Sequence, residues 1–595
     1  MTNQSSNNPT TVRKIWALLT PPEQRSAVVL LGLMFIGMVL ETFGVGLVIP
    51  VIVLLTQSDL ATRYPALQPA LQALGNPSQQ ALVIGAISGL VGIYLIKNVF
   101  LAIYAWWQAR FSYDVKAELS QRLLAIYLRQ PYAFHLQRNS AQLIRNVVTE
   151  VDEFIVTAML PSASLLAESL VILSLCAMLL VVEPLGTLIV VTVLSVVSWG
   201  YHHFTRARLF AWGVARQHHE GLRIQHLHES LGGVKDVKLL GRETDFLEQF
   251  RAQCVQLARV GRLHHTMQQL PRLWLELLTV IGIAILVISM LAQDRAPETV
   301  LPILGLFAAA AFRLMPSVNR VLSSVQLLRY GLPTIDTLHA ELKLAVPQAP
   351  DIHTPATPFR DELELKQVTY TYPNAPKPAL EDLSLTIRRG ELVGFIGASG
   401  AGKSTLVDVL LGLLTPESGE VRVDGNSIQN RLRNWQDQIG YVSQSIFLTD
   451  DTLRRNVAFG LSNAQIEEAA VWHAIRAAQL EEFVLSLPAG LDTPVGEHGI
   501  RLSGGQRQRI GIARALYHDP AILVLDEATS SLDTTTERGV MQAVLALRGS
   551  KTILIVAHRL STVEICNRLY RLERGQIAQE GSYEVVTRTA RIQAS

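Results

Sequence analysis

Charged residues are scarce in this chain of 595 residues. Asp, Glu, Lys and Arg make up 17% of it, against about 25% in soluble domains. A large part of the chain is therefore not built for water, and the mean hydropathy of +0.26 agrees. Cysteine is scarcer still. Cys176, Cys254 and Cys566 lie far apart in sequence with no CxxC spacing, which excludes a disulfide framework and leaves ordinary reduced thiols. The net charge of +2 gives no electrostatic ground for a nucleic-acid partner. The opening MTNQSSNNPTTVRKIW is polar and then weakly basic, and the long apolar run begins only near Ser26. No cleavable signal peptide is expected from that order.

What the chain does have is long apolar runs. Six occur before residue 330, at roughly 26–56, 81–109, 155–182, 184–205, 268–292 and 299–325. Each reaches the ~20 residues that carry a helix across ~30 Å of hydrocarbon, and only a helix satisfies its own backbone there. Six crossings place both ends of this half on one side. Ten arginines and lysines between 206 and 267 (Arg206, Arg208, Arg216, Arg223, Lys235, Lys238, Arg242, Arg251, Arg259 and Arg262) identify that side as cytoplasmic. Arg110, Lys116, Arg122, Arg129, Arg138 and Arg145 add to it, while the opposite loops hold only Arg63 and Arg295. The long basic segments are expected to be helical extensions into the cytosol.

Residues 344–359, LAVPQAPDIHTPATPF, are proline-rich and read as a linker. They divide a membrane domain, 1–343, from a soluble α/β domain, 360–595. In the latter, ELVGFIGASGAGKSTLVDVLLGLL is a strand, a glycine-rich loop and a helix. The loop at 397–404 fits G-x-x-x-x-G-K-[ST], with Gly397, Gly400 and Gly402 freeing backbone N–H groups to close on phosphate oxygens. Lys403 is placed to reach the β- and γ-phosphates, and Ser404 to ligate Mg²⁺, with Thr405 beside it. Downstream, AILVLDEATSSLD at 521–533 is an apolar strand ending in two acids. Asp526 suits Mg²⁺ coordination through water, and Glu527 suits activation of the attacking water.

Between them stands LSGGQRQRIGIARAL, 502–516. With the two flanking motifs it resembles the nucleotide-binding domain of ABC transporters, over residues ~360–590. The resemblance implies further roles. Tyr372 would stack on adenine, and Gln444 would sense Mg²⁺ and water. Ser503, Gly504, Gly505 and Gln506 would form the signature that meets the partner's ATP. TPVGEHG, 493–499, is similar to the loop that precedes the signature in exporters. SSLD, 530–533, is similar to the D-loop and ends in Asp533; Ser531 stands where alanine is common. His558 matches the switch histidine. The resemblance also implies ATP and Mg²⁺ as cofactors. The signature is not expected to reach its own phosphate loop, so two chains would sandwich two ATP molecules as a homodimer.

Two breaks in the cytoplasmic extensions, 130–139 and 229–241, match in position the coupling helices of exporter-type members. The first would dock on its own ATPase and the second on the partner's; simple helix–turn–helix connections are the alternative. The paired histidines His202/His203, His218/His219, His226/His228 and His264/His265 lack a completing Cys or carboxylate, and exposed helix surface is the better reading than a metal site.

The membrane half carries charges: Glu41, Lys97, Glu168, Arg272, Glu276, Arg313 and Arg320. Snorkelling or mutual pairing accounts for such residues near helix ends. It fits Arg313 and Arg320 less well, because FAAAAF and LMPSVN flank them. A water-filled cavity with an anionic cargo is the alternative, and a dimer would offer up to six guanidiniums. In the first outer loop, Leu60, Tyr64, Leu67, Leu71 and Leu74 form a helical stripe. It reads either as a surface helix holding a lipid tail or as an ordinary loop packed on the bundle. LETF at 40–43, this stripe and AFRLMPSVNR together resemble PglK-type flippases of lipid-linked oligosaccharides. That resemblance implies a polyprenyl-pyrophosphate glycan as cargo, with Arg272, Arg313 and Arg320 on the pyrophosphate, in the bacterial cytoplasmic membrane. An exporter of another lipid, a peptide or a drug is the second reading.

Overall fold

The structure, a computed structural model, describes residues 10–47, 51, 78–182, 184–291, 297–345, 358–528, 534–557 and 559–587. It divides into two compact units. One holds Met1–Gln130 and Gln137–Val346, the other Pro131–Leu136 and Pro347–Ser595.

The first unit is helical. A short α1 (Thr11–Leu18) precedes α2 (Pro21–Gly46), whose start is set by Pro at its first position and by Glu23, which accepts from the Thr20 backbone N–H at 2.6 Å. The long α3 (Gln79–Leu128) follows. The six-residue α4 (Tyr132–Gln137) bridges the two units in sequence. Then come α5 (Ser140–Arg145), a π turn at Asn146–Glu150, α6 (Val151–Phe154), a second π turn at Ile155–Met159, and α7 (Leu160–Val182). After Pro184 the chain forms α8 (Pro184–Gly232), α9 (Val234–Leu239), α10 (Glu243–Leu291), α11 (Pro297–Tyr330) and α12 (Leu332–Leu342).

Four described helical stretches are long and apolar enough to cross a membrane: Pro21–Gly46, Gln80–Leu128, Ser140–Val181 and Thr187–Gly232. The fifth and sixth apolar runs lie in α10 and α11, of 49 and 34 residues. Apolar side chains such as Val91, Leu173, Val196 and Val280 point outward from these helices. In water that would be a liability, whereas in lipid it costs nothing. The outer-loop stripe at 60–74 lies outside the described residues, as does 346–357 of the linker.

Past their apolar runs the helices pack on a core of Leu119, Leu123, Phe154, Ile155, Ile335 and Leu338. One ionic group is sealed inside this region. Glu150, fully buried, accepts from Arg216 Nη2 at 3.0 Å and from Thr334 Oγ1 at 2.7 Å. The first π turn ends at Glu150 itself and the second follows at Ile155–Met159, single π turns inside a longer helix. Close approach fixes two glycines nearby: a Cβ on Gly213 would stand 2.1 Å from Tyr330 O, and one on Gly331 would stand 2.2 Å from Thr157 Oγ1.

The second unit has two sheets. The antiparallel sheet runs in the order β2 (Leu380–Arg388), β1 (Glu362–Tyr370), β4 (Ser418–Val423), β5 (Asn426–Ser427). The larger sheet has the order β10 (Gln576–Gly581), β9 (Arg568–Glu573), β3 (Leu392–Ile396), β8 (Thr552–Val556), β7 (Ile522–Asp526), β6 (Ile439–Val442). Its strands β9, β3, β8, β7 and β6 are parallel neighbours. As buried parallel strands do, they read as unbroken apolar runs, LVGFI and TILIV among them. Helices α13 (Lys403–Leu410), α14 (Glu468–Ala477), α15 (Gly504–Leu516) and α16 (Thr534–Ala546) pack with them.

Candidate nucleotide site and intramembrane charge cluster

The carboxyl ends of β3 and β7 converge, which is where open α/β sheets bind ligands. After β3 the chain turns through Gly397, Gly400 and Gly402, all with positive φ, and enters α13 at Lys403. Gly402 shows why glycine is required: its φ is +101°, and a Cβ there would meet Ala379 O at 2.7 Å. Lys403 is buried and folds back over the loop, donating from Nζ to the carbonyls of Gly397 and Ala398, each at 2.9 Å. Burial lowers its pKa, and the charges of Glu527 and Asp526 oppose that shift.

At the end of β7, Asp526 Oδ2 accepts from the Tyr441 hydroxyl at 3.4 Å. Glu527 follows with φ +49° and accepts from Gln444 Nε2 at 2.7 Å. Left-handed backbone at a glutamate is uncommon and strained. Here the Glu527 N–H is held by Val556 O at 3.0 Å. Gln444, Asp526 and Glu527 are thus brought to one place. The donors Ser404, Asp526 and Gln444 are hard oxygens of the kind Mg²⁺ takes, beside a loop shaped for phosphate, so the residues present fit both groups.

Tyr372 stands against the same loop, its hydroxyl 3.1 Å from Thr405 Oγ1. The signature begins α15. Ser503 caps it, accepting from the Gln506 N–H at 3.2 Å while its own N–H donates to Gln506 Oε1 at 2.8 Å, with Gly504 and Gly505 between. Later on α15, Arg514 donates to Phe447 O at 2.7 Å and Asn456 O at 2.9 Å, tying this helix to the segment after Gln444. Burial lowers its pKa to about 10. His558 and Asp533 lie outside the described residues, and with them 529–532.

Sequence reasoning missed Asp408, on α13, whose carboxyl is raised to about 6 by burial and then by the charge of Asp526. The available signal was an acid in the otherwise apolar LVDVLL. The same unit includes Pro131–Leu136. Ala133 packs on the core of β1, β3 and α13, and burial together with Asp408 and Tyr372 raises the Tyr132 phenol pKa.

In the membrane unit the charges do not stand as expected. Where the sequence favours open forks on a cavity surface over mutual pairing for Arg313 and Arg320, both are bonded to acids. Arg313 Nε donates to Glu41 Oε2 at 3.0 Å, and its Nη1 donates to Ser317 Oγ at 2.7 Å and Glu168 Oε2 at 3.5 Å. Arg320 Nε pairs with Glu168 Oε1 at 2.8 Å, and Lys97 Nζ donates to Glu41 Oε2 at 3.2 Å. The physical reason is that an isolated guanidinium at this depth costs several kcal/mol, so helices far apart in sequence supply its counterions. Glu41 and Glu168 against Lys97, Arg313 and Arg320 leave one positive charge in excess. Arg320 is 50% exposed and Arg313 only 18%. Arg272 stands apart, exposed and paired with Glu276 one turn on at 3.1 Å.

Among the described residues no group of three His, Cys, Asp or Glu side chains stands where it could hold a metal ion. One histidine departs from the exposed-surface reading: His264 is buried and stacked on Tyr330, the rings 3.9 Å apart at 6°.

Comparisons with known proteins bear on both units. Residues 380–530 match the family model described as ABC transporter, and residues 29–309 match that of the ABC transporter transmembrane region. The chain is 33% identical over 507 residues to the ATP-dependent lipid A-core flippase of Dechloromonas aromatica, covering 83% of this chain and 84% of that one. It is 30% identical over 585 residues to the protein of that name from Cupriavidus metallidurans, covering 98% and 94%. A solved bacterial Atm1-family ABC exporter with ATP bound superposes with a TM-score of 0.77 at 22% identity, covering 99% of both chains, and shows the same fold.

Proposed function

The chain belongs to the ABC transporter family, and on that premise we propose that it works as a homodimeric flippase for a lipid with an anionic head. It hydrolyses ATP and couples this to transport, as a multi-pass protein of the cytoplasmic membrane with its ATPase half in the cytoplasm. The observation that carries the ATP reading is the meeting of Lys403, Gln444, Asp526 and Glu527 at the ends of β3 and β7.

In this reading the loop N–H groups and Lys403 hold the β- and γ-phosphates, and Tyr372 stacks on adenine. Ser404, Gln444 and Asp526 hold Mg²⁺, which supplies charge neutralisation on the phosphate oxygens when bound. Glu527 accepts the proton of the attacking water, and Gln444 holds that carboxylate until nucleotide arrives. His558 senses the γ-phosphate, and Asp533 contacts the partner. Ser503, Gly504, Gly505 and Gln506 close the partner's site. Pro131–Leu136 and α9 relay the closure to the membrane helices.

Of the two cargo readings raised by the sequence, a polyprenyl-pyrophosphate glycan and another lipid, peptide or drug, we favour the second, and within it a lipid. Relatives named lipid A-core flippases cover at least 83% of the chain. The excess positive charge beside Arg320, doubled in a dimer, suits a phosphorylated glycolipid head. Arg272 and Arg320 are exposed enough to meet it, while Arg313 serves chiefly to hold Glu41 and Glu168.

Reconstituted vesicles test this. A lipid A-core-type glycolipid and a polyprenyl-pyrophosphate sugar are supplied in parallel, and ATPase stimulation and translocation are measured. The glycolipid should stimulate and cross. Movement of the polyprenyl lipid alone would reverse the choice of cargo, and movement of neither would sink the lipid reading.

A further inference from the structure

Away from the charge cluster, α7, α8, α10 and α11 line a partly open cavity of about 250 Å³. Its lining carries no charged side chain, and its polar atoms are a few hydroxyls, of which Thr279 Oγ1 already donates to Leu275 O at 2.8 Å. A cavity walled this way stays dry, since water needs two to four polar partners; an apolar space of ~150 Å³ already takes benzene. Something apolar therefore fills it, or it is a void that weakens the bundle.

The shape of the lining says what fits. On α7 the wall is Ile172, Cys176 and Leu179, and one turn earlier on that stripe lies Glu168, the acid that holds Arg320. From Glu168 to Leu179 the helix rises about 16 Å. That is about half of a ~30 Å hydrocarbon core, the depth of one leaflet. The basic segment around Arg110–Arg145 precedes α7, so the third run, 155–182, climbs outward: Glu168 lies at its middle and Leu179 near its outer end. The space is smaller than the ~300–1,000 Å³ of sites for whole drug-sized ligands. It suits one chain, not a lipid with several. It also lies among helices of a single protomer.

We propose that this cavity is a binding site for one acyl chain of an outer-leaflet phospholipid, resident in each protomer and separate from the cargo. The chain wedges α7 and α8 against α10 and α11 and completes the apolar packing those helices lack. This holds whether or not the transported molecule is a lipid.

Gly282 lines the cavity, and a Cβ there would meet only Val190 Cγ2, at 3.8 Å, so a larger side chain can grow into the space. The test uses the full chain in nanodiscs of phosphatidylethanolamine bearing a photoactivatable diazirine on one acyl chain, with cross-links mapped by mass spectrometry. Wild type should be labelled at Ile172–Leu179 and at Leu314–Val318. Gly282→Leu, and independently Ala311→Leu on the facing helix, should lower that labelling roughly tenfold with basal ATPase kept. In detergent, added phosphatidylethanolamine should raise the melting temperature of wild type and leave that of Gly282→Leu unmoved. Unchanged labelling in both variants would overturn the proposal, as would labels confined to outward-facing positions such as Leu173 and Val196. A photoactivatable cargo glycolipid labelling these residues as strongly as phosphatidylethanolamine would overturn the claim of a separate resident lipid. A failed transport assay would instead count against the flippase reading and leave the cavity result standing.

Discussion

Glu41 Oε2 accepts from Arg313 Nε at 3.0 Å, linking residues 272 positions apart, while Lys97 donates to the same oxygen at 3.2 Å. Glu41 is 7% exposed at its side chain. Glu41→Gln should therefore strand the buried Lys97, leave Arg313 only Glu168 as its acid, and cost about 3–5 kcal/mol, the usual effect of removing one partner from a buried pair. Glu41→Gln combined with Lys97→Met should regain much of that loss, because the charge count is restored. Thermal unfolding of both variants in one detergent measures it; equal melting of single and double variants would mean that Glu41 is not the counterion the geometry makes it.

Glu527 and Gln444 give the second prediction. With the carboxylate acting on water, Glu527→Gln should keep ATP binding and lower turnover by about 10²–10⁴, the span of a lost general base. Single-turnover hydrolysis beside equilibrium binding separates the two effects. Near-normal turnover would remove Glu527 from the role.

Ala133 packs on the core of the nucleotide-binding unit. Ala133→Asp sets an unpaired carboxylate there, which the segment avoids only by leaving. Basal ATPase should persist and its stimulation by transported lipid should fall to near background. Retained stimulation would show that Pro131–Leu136 does not relay closure.

The nucleotide site was legible because its chemistry is local. GASGAGKS needs glycine at Gly397 and Gly402 for reasons that lie within a few residues, and the two acids sit at the end of one strand. The hydrogen bond from Gln444 to Glu527 spans 83 positions, yet the family motifs anticipate it. The charge cluster was not legible in the same way. Each of Glu41, Lys97, Glu168, Arg313 and Arg320 stood out alone, but pairing depends on which helices adjoin, and apolar runs of similar composition do not say. Arg313 therefore read as a fork awaiting an anion, when its anions are Glu41 and Glu168. The ion pair of Glu150 with Arg216 left no sequence signal either, since it joins residues 66 positions apart.

His264 supplies a pH test. It lies before the fifth apolar run, buried and stacked on Tyr330, with burial first and His265 second lowering its pKa from 6.5 to about 4. A base whose folded pKa is depressed contributes stability above its unfolded pKa and loses it as pH falls. Between about 6.5 and 4 the unfolded chain takes up the proton that the folded chain refuses. Over that window the loss amounts to about 3 kcal/mol, at ~1.4 kcal/mol per unit. His264→Phe keeps a ring against Tyr330 and removes the proton, so its melting temperature should fall less than that of wild type between pH 7 and pH 4.5. Parallel pH profiles for the two proteins would show that His264 is protonated in the folded state or that acid lability arises elsewhere.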